Sequence, residues 1–248
     1  MKVISLGWGV QSFTMAAMVA LGELPMVDAV IHADTTHERT ATYEFEDRWS
    51  RWLVDRGINL VTVRADDTEP IGKYDDLQIP AFPKAEGEKR GIYRRQCTDD
   101  WKIAPLRRWL REQGGIKLGV ELWIGISLDE FRRMRESGVQ YIKNRWPLIE
   151  KKMTRADCIA WLKSHGLEVP SKSSCIFCPM HTYDYWLDLK QNGNGDWDRV
   201  VEFDELIRDM HPPDKIYLTQ NCKPIKQVAN ELGLQMSFED ECSGFCFV

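Results

Sequence analysis

Lys2-Val3-Ile4-Ser5-Leu6-Gly7-Trp8-Gly9-Val10-Gln11-Ser12-Phe13 is the stretch that decides the fold. Residues 2–6 form the short apolar run of a buried strand, Gly7 to Ser12 make a glycine-containing turn, and Phe13 to Leu21 take helical spacing up to Gly22. A strand, a turn and a helix N-terminus in that order make an anion site. Glycine lets backbone N–H groups approach a phosphate, and the helix dipole favours negative charge there. The turn has neither the Gly-Lys-Ser/Thr of a Walker loop nor the Gly-x-Gly-x-x-Gly of a dinucleotide fingerprint. Gly7, Trp8, Gly9, Val10, Gln11 and Ser12 are therefore the candidate phosphate-binding residues, with an ordinary βα turn as the plainer alternative.

Outward from that turn, strand and helix patterns alternate. Val27 to His32 reads as a second strand, Thr40 to Arg56 as a helix with Phe45, Trp49, Trp52 and Leu53 on one face, and Asn59 to Val63 as a third strand. Helical spacing returns from Trp101 to Gln113, and Glu121 to Ile126 and Val139 to Trp146 read as further strands. The alternation predicts an α/β fold, a doubly wound, mostly parallel sheet with helices on both faces. Such sheets bind ligands outside the carboxyl ends of their strands. Asp34, Thr35, Glu38 and Gly125 thereby join the candidate nucleotide site, with Asp34 and Glu38 suited to ribose hydroxyls or magnesium and helix capping as the alternative. Residues 66–96, rich in charge, Gly and Pro, read as a long lid-like loop. Thr154 with Asp157 three residues on opens a capped helix that stops at Gly166. Past about residue 150 come short helices among the cysteines (Trp186–Gln191, Asp198–Asp209, Pro224–Leu232). The expected organisation is a nucleotide-binding domain over 1–150 and a helical, cysteine-containing extension over 151–248 packed on it.

The formal net charge of −5 argues against a protein that coats nucleic acid by charge alone. No apolar run approaches the ~20 residues of a membrane span, and the N-terminus lacks the layout of a signal peptide. A cytoplasmic protein without membrane contact is expected. In a reducing compartment, its 7 cysteines point to metal or redox chemistry rather than disulfides. Cys175-Ile176-Phe177-Cys178-Pro179 brings two thiolates to one turn. With Cys97 and either Cys242 or Cys246 it makes a candidate four-thiolate site, for which iron–sulfur, zinc and free thiols all stay open. Cys158, on the amphipathic helix from Thr154, reads as a core residue.

Taken together, these segments resemble a known family. Ser5-Leu6-Gly7-Trp8-Gly9-Val10-Gln11-Ser12 looks like a variant of the Ser-Gly-Gly-x-Asp-Ser loop of the PP-loop ATP pyrophosphatases. Within that superfamily the chain resembles the phosphoadenosine phosphosulfate reductase family. Asp34-Thr35-Thr36-His37-Glu38 is similar to its Asp-Thr-Gly-x-Glu segment, and Arg95-Gln96-Cys97-Thr98 with Lys102 to Pro105 to its Arg-x-Cys-Thr…Lys-x-x-Pro stretch. Gly125 to Glu130 with Arg132-Arg133 is similar to its Gly-Ile-Arg-x-x-Glu-Ser…Arg segment. Gly7 stands in place of the first serine, Trp8 in place of a glycine, Val10-Gln11 in place of the residues before Ser12, and Ser127 in place of the arginine.

The resemblance implies an adenine nucleotide alpha hydrolase-like fold and ATP, or a related adenine nucleotide, bound with Mg2+. It implies adenylation of a substrate with release of pyrophosphate, linked to sulfur transfer. Lys102 and Arg95 would act as the catalytic cations, and Arg132 would join the nucleotide-binding set. Iron–sulfur clusters occur in several branches, including the ATPases linked to DNA phosphorothioation, so a 4Fe-4S cluster is implied, with zinc as the alternative. A nucleic acid or a sulfur-donor protein is the implied partner beyond the nucleotide. Glu241-Cys242-Ser243-Gly244 also faintly resembles the tail whose thiol attacks the sulfonate in sulfonucleotide reductases. This makes a Cys242-dependent reductase of adenylyl or phosphoadenylyl sulfate a second reading. A nucleotide- or cluster-binding scaffold without turnover is a third.

Overall fold

A computed structural model describes residues 1–72, 76–85, 88–89 and 91–232. In chain order its first elements are β1 (Lys2–Leu6), α1 (Val10–Ala20), β2 (Ala29–Asp34), α2 (Thr40–Val54), β3 (Leu60–Arg64), β4 (Phe82–Ala85) and β5 (Glu88–Lys89). A π-helical turn (Thr98–Ile103) runs into α3 (Ala104–Glu112), followed by α4 (Gly115–Leu118), β6 (Val120–Ile124), a 3-10 segment (Leu128–Arg133) and β7 (Ile142–Arg145). The remainder is α5 (Pro147–Glu150), α6 (Arg155–Ser164), α7 (Tyr183–Asn192), α8 (Asp196–Leu206), β8 (Lys215–Tyr217) and α9 (Ile225–Leu232).

Among the described residues, Met1–Asp66 and Thr98–Ser173 build one compact unit, and those of 67–97 and 174–232 build another. In the first unit five parallel strands lie in the order β3-β2-β1-β6-β7. Side chains alternate across this sheet. Ile4 and Val30 face one core with Phe13 of α1, Phe45 of α2 and Leu162 of α6. Val3, Ala29 and Ile31 face the other with Leu106 and Leu110 of α3. Helices thus cover both faces of a parallel α/β sheet, as the alternation of patterns predicted. The chain leaves β1 toward β2 and β3 on one side and takes up β6 and β7 on the other. The β1–β6 boundary is therefore the topological switch point, where a crevice opens at the strand ends.

Composition suggested a division near residue 150, but α6 belongs to the first unit. Its capping box, Thr154 with Asp157, is formed as expected, and Cys158 and Leu162 are wholly buried in the α1 core. Burial pushes the Cys158 thiol up to about 12, so it is an inert core side chain. The segment 66–96 is likewise not one long lid loop. It carries β4 and β5, and β4 pairs antiparallel with β5 on one side and β8 on the other, Pro83 opposite Ile216. Such short strands, paired across most of the chain, leave no local periodicity to read. The second unit also holds α7, α8 and α9, close to the helices predicted there. Among the described residues no helix is long and apolar enough to cross a membrane.

Candidate functional site

The β1–α1 turn is held by its own serine. The Gly7 N–H donates to Ser12 Oγ (3.2 Å), and that hydroxyl donates to the Gly9 carbonyl (3.3 Å), which also accepts the Phe13 N–H (2.9 Å). The N–H groups of Val10, Gln11 and Ser12 lead the helix and have no acceptor within it. No acidic side chain sits in that first turn, so the positive helix end is left for an anion. Trp8 takes φ +56°, the left-handed region that favours glycine. Its indole is wholly buried, with ring centroids 6.2 Å from both Phe13 and Phe45 and 6.3 Å from His32. Burial of that large ring offsets the backbone strain. Gly125, beyond β6, lies against the same turn: a Cβ there would meet Ser12 N at 2.7 Å and Ser12 Cα at 2.8 Å.

The Gln11 side chain is engaged within the protein. Its Nε2 donates to Glu130 Oε2 (3.1 Å) and Ser127 Oγ (3.4 Å), and its Oε1 accepts from Arg155 (3.2 Å). The amide, both donor and acceptor, fits between a carboxylate and a guanidinium where a carboxylate would face Glu130 without a donor. The side chain therefore ties α1 to the 3-10 segment and to α6.

At the end of β2, Asp34 Oδ1 accepts from the Thr36 N–H (2.7 Å) and the Tyr43 hydroxyl (3.0 Å), while Oδ2 accepts from the Arg64 guanidinium. Both oxygens are engaged, so Asp34 is a structural carboxylate and offers nothing to a cation or a ribose. Burial alone would raise its carboxyl, but the bonds from Thr36, Arg64 and Tyr43 hold it below its ordinary value. A depressed folded-state value stabilises the protein above the unfolded value near 3.8, and that stability is lost as pH falls through the lower folded value. Arg64→Ala removes one source of the depression. Acid unfolding, followed by circular dichroism, is expected to begin at a higher pH in this variant, and an unchanged profile would contradict the assignment. Thr36, like Trp8, takes a left-handed φ of +63°.

Glu38 is buried, its side chain 4% exposed. Oε1 accepts from Lys102 Nζ at 3.2 Å and from the Thr35 hydroxyl at 3.5 Å. Oε2 is buried with no hydrogen-bond partner. Glu38 lines a pocket of about 260 Å3 that runs across the carboxyl ends of β2, β1, β6 and β7 and includes Ser5, Leu6 and Gly7. Lys102 of the π-helical turn and Arg107 of α3 line it, with Arg133 beyond the switch point. At the β7 end stand Asn144 and Trp146, whose Oδ1 and Nε1 are also buried without partners. Three strand spacings of ~4.8 Å make this crevice about 14 Å wide.

The predicted residues therefore separate. The turn from Gly7 to Ser12, Asp34, Thr35, Glu38, Lys102 and Gly125 come together in the first unit. Arg132 is exposed, its guanidinium 5.9 Å from the Phe131 ring, and its neighbour Arg133 lines the pocket instead. Asn144 and Trp146 were not singled out in the sequence, where the only signal was an asparagine inside an otherwise strand-like run. Arg95, Cys97, Cys175 and Cys178 belong to the second unit. There Cys175 and Cys178 form a turn closed by the Cys178 N–H on the Cys175 carbonyl (3.1 Å). His181 Nε2 lies 2.8 Å from the same carbonyl, and its ring stacks on Tyr185 with centroids 3.5 Å apart. Among the described residues no three Cys, His, Asp or Glu side chains converge to hold a metal ion. Cys242 and Cys246, the other expected thiols, lie outside the described residues.

No protein-family model matches the chain, and no curated protein does. Among solved structures, the chain is similar to a phosphoadenylyl-sulfate (PAPS) reductase from Candida auris in its phosphate complex. The identity is 13% and the TM-score 0.44, over 68% of this chain and 74% of that one. It is also similar to the U34-tRNA thiolase NcsA from Methanococcus maripaludis with its 4Fe-4S cluster, at 15% identity and a TM-score of 0.39, over 96% of this chain and 83% of that one.

Proposed function

We propose that the first unit binds an adenine nucleotide and that the protein is an ATP pyrophosphatase-type enzyme that adenylates an acceptor for sulfur transfer. One observation carries this reading. The unpaired N–H groups of Val10, Gln11 and Ser12 stand at the switch point, and the pocket beginning at Ser5, Leu6 and Gly7 continues directly from them. Phosphates suit the N–H groups. A nucleoside suits the pocket, which is long enough for base and sugar and offers buried acceptors at opposite ends, Glu38 Oε2 and Asn144 Oδ1. An acceptor oxygen would attack the α-phosphorus while the bond from that phosphorus to the bridging oxygen breaks, and pyrophosphate departs. Lys102, partly exposed in the pocket, is the cation placed to meet the charge on the leaving group.

Magnesium was expected at Asp34 and Glu38. Asp34 has no free oxygen, which leaves Glu38 as the one carboxylate of the pair that would hold the ion, and no step here runs through it. A cluster or zinc site of Cys97, Cys175 and Cys178 with Cys242 or Cys246, the last two outside the described residues, stays part of this reading, and the proposed reaction does not use it. A nucleic acid or a sulfur-donor protein fits the acceptor side of the same chemistry.

The test is incubation with radiolabelled ATP, magnesium and candidate acceptors, together with calorimetry on ATP and on inorganic pyrophosphate. Both ligands are expected to bind, and acceptor-dependent pyrophosphate release is expected to fall ~100-fold in Lys102→Ala, the scale of losing one charge-stabilising group. Binding without release under any acceptor would leave a nucleotide-binding scaffold and overturn the enzymatic reading.

A further inference from the structure

We propose that Asn144 and Trp146, at the carboxyl end of β7, select the base of the nucleotide, admitting a purine with an amino group at its six-position and rejecting one with an oxygen there. The proposal rests on the reading of the first unit as a nucleotide site and assigns the base recognition which that reading leaves open.

Successive side chains of a strand point to opposite faces. Along β7 and the residue after it, Ile142, Asn144 and Trp146 line the pocket. Lys143 is exposed, and Arg145 pairs instead with Glu121 at 3.1 Å and Glu150 at 2.8 Å. The Asn144 amide has one orientation. Its Nδ2 donates to the Arg135 carbonyl at 2.8 Å, whereas a flipped amide would oppose two acceptors. Oδ1 is the remaining branch, and it is buried with no hydrogen-bond partner, as is Nε1 of Trp146. An amide oxygen only accepts and an indole N–H only donates. Two pocket-lining residues thus hold one acceptor and one donor that no described group satisfies, and a buried polar group left so is costly until a ligand pairs with it.

Distance decides which part of a nucleotide reaches them. The N–H groups of Val10, Gln11 and Ser12 follow β1. From β1 the β2 end, with Glu38, is one strand spacing away, about 5 Å, and the β7 end is two, about 10 Å. With the phosphates on the N–H groups, the base edge lies a sugar and a ring away and belongs at the farther end. The walls between are apolar, with Leu106, Leu122, Ile124 and Ile142 suited to the faces of a flat ring. Arg133 and Arg135, which also line the pocket, are engaged within the protein: Arg133 pairs with Glu130 at 2.7 Å, and Arg135 donates to the Arg132 and Met134 carbonyls at 2.8 Å each. Adenine's amino group donates to Asn144 Oδ1, and a ring nitrogen beside it accepts from Trp146 Nε1. Hypoxanthine carries a carbonyl oxygen where that amino group stands, so two acceptors oppose each other and Asn144 Oδ1 stays buried and unpaired.

The experiment titrates ATP, ITP, adenosine, inosine and inorganic pyrophosphate calorimetrically against the full chain. Wild type is expected to bind ATP ~10–100-fold more tightly than ITP, the scale of one buried acceptor left unpaired. Adenosine is expected to exceed inosine by a similar factor. Asn144→Leu keeps the side-chain volume and loses the acceptor, so the ratio of ATP to ITP affinity is expected to fall to within about threefold. Trp146→Phe keeps an aromatic ring and loses the donor, and is expected to weaken ATP by about threefold to tenfold. Equal affinities for ATP and ITP in wild type, or a ratio unchanged in Asn144→Leu, overturn the proposal. The wild-type comparison decides by itself where a variant fails to fold.

Pyrophosphate and the free nucleosides separate this from failure of the loop reading. If pyrophosphate binds while ATP and ITP bind equally, base selection falls and the loop reading stands. If adenosine binds in preference to inosine while pyrophosphate does not bind, the loop reading falls and base selection stands. Binding of none of these ligands overturns both.

Discussion

Gly125→Ala is expected to unseat the β1–α1 turn, costing about 2–3 kcal/mol of stability and, on the proposed function, at least ~10-fold in pyrophosphate affinity. The added methyl would lie 2.7 Å from Ser12 N and 2.8 Å from Ser12 Cα. Both are backbone atoms, so no flexible side chain can swing aside. Either the end of β6 must retreat, though its strand is paired with β1, or the first turn of α1 must shift, though Phe13 behind it is wholly buried. The first turn is where the N–H groups converge, so a shift of a few tenths of an ångström is paid in binding as well as in folding. Urea unfolding and pyrophosphate calorimetry read the two effects separately. Wild-type midpoint and affinity together would show that the approach of Gly125 to Ser12 is not tight.

The second large effect is expected at Trp8. Trp8→Ala empties a fully buried indole site and should destabilise by about 3–5 kcal/mol. Trp8→Gly creates the same cavity, yet it should be the more stable of the two by roughly 1 kcal/mol, because only glycine adopts φ +56° without strain. This ordering reverses the usual preference for alanine over glycine. Chemical denaturation of both variants decides it, and an alanine variant more stable than the glycine one would mean that the left-handed conformation carries no strain worth relieving.

What could be read from the sequence was what is local. The run from Lys2 to Phe13 announces strand, turn and helix within twelve residues, and Thr154 with Asp157 announces a helix start within four. Gly125 was recognisable as a strand-end residue, but its reason is a contact with Ser12, which no window of sequence contains. The same holds for Gln11: its amide is matched to Glu130 and Arg155, more than a hundred residues away. Arg132 and Arg133 are adjacent in a 3-10 segment, where helical periodicity does not say which of the two turns inward. Trp8 and Thr36 are instructive in the other direction. The backbone there takes positive φ with tryptophan and threonine, residues whose sequence gives no sign of a left-handed conformation.

The way the two units share the chain bears on synthesis. Asp67–Cys97 leaves the first unit and, among the described residues, is completed by residues 174–232. A nascent chain released up to Ser173 carries every described element of the first unit, but it also carries β4 without β8. An unpaired strand edge of that kind recruits other chains. A protein cut after Ser173 should therefore be prone to self-association despite its parallel sheet, and a minimal fragment carrying that sheet would need residues 67–97 replaced by a short linker rather than the C-terminal part simply removed.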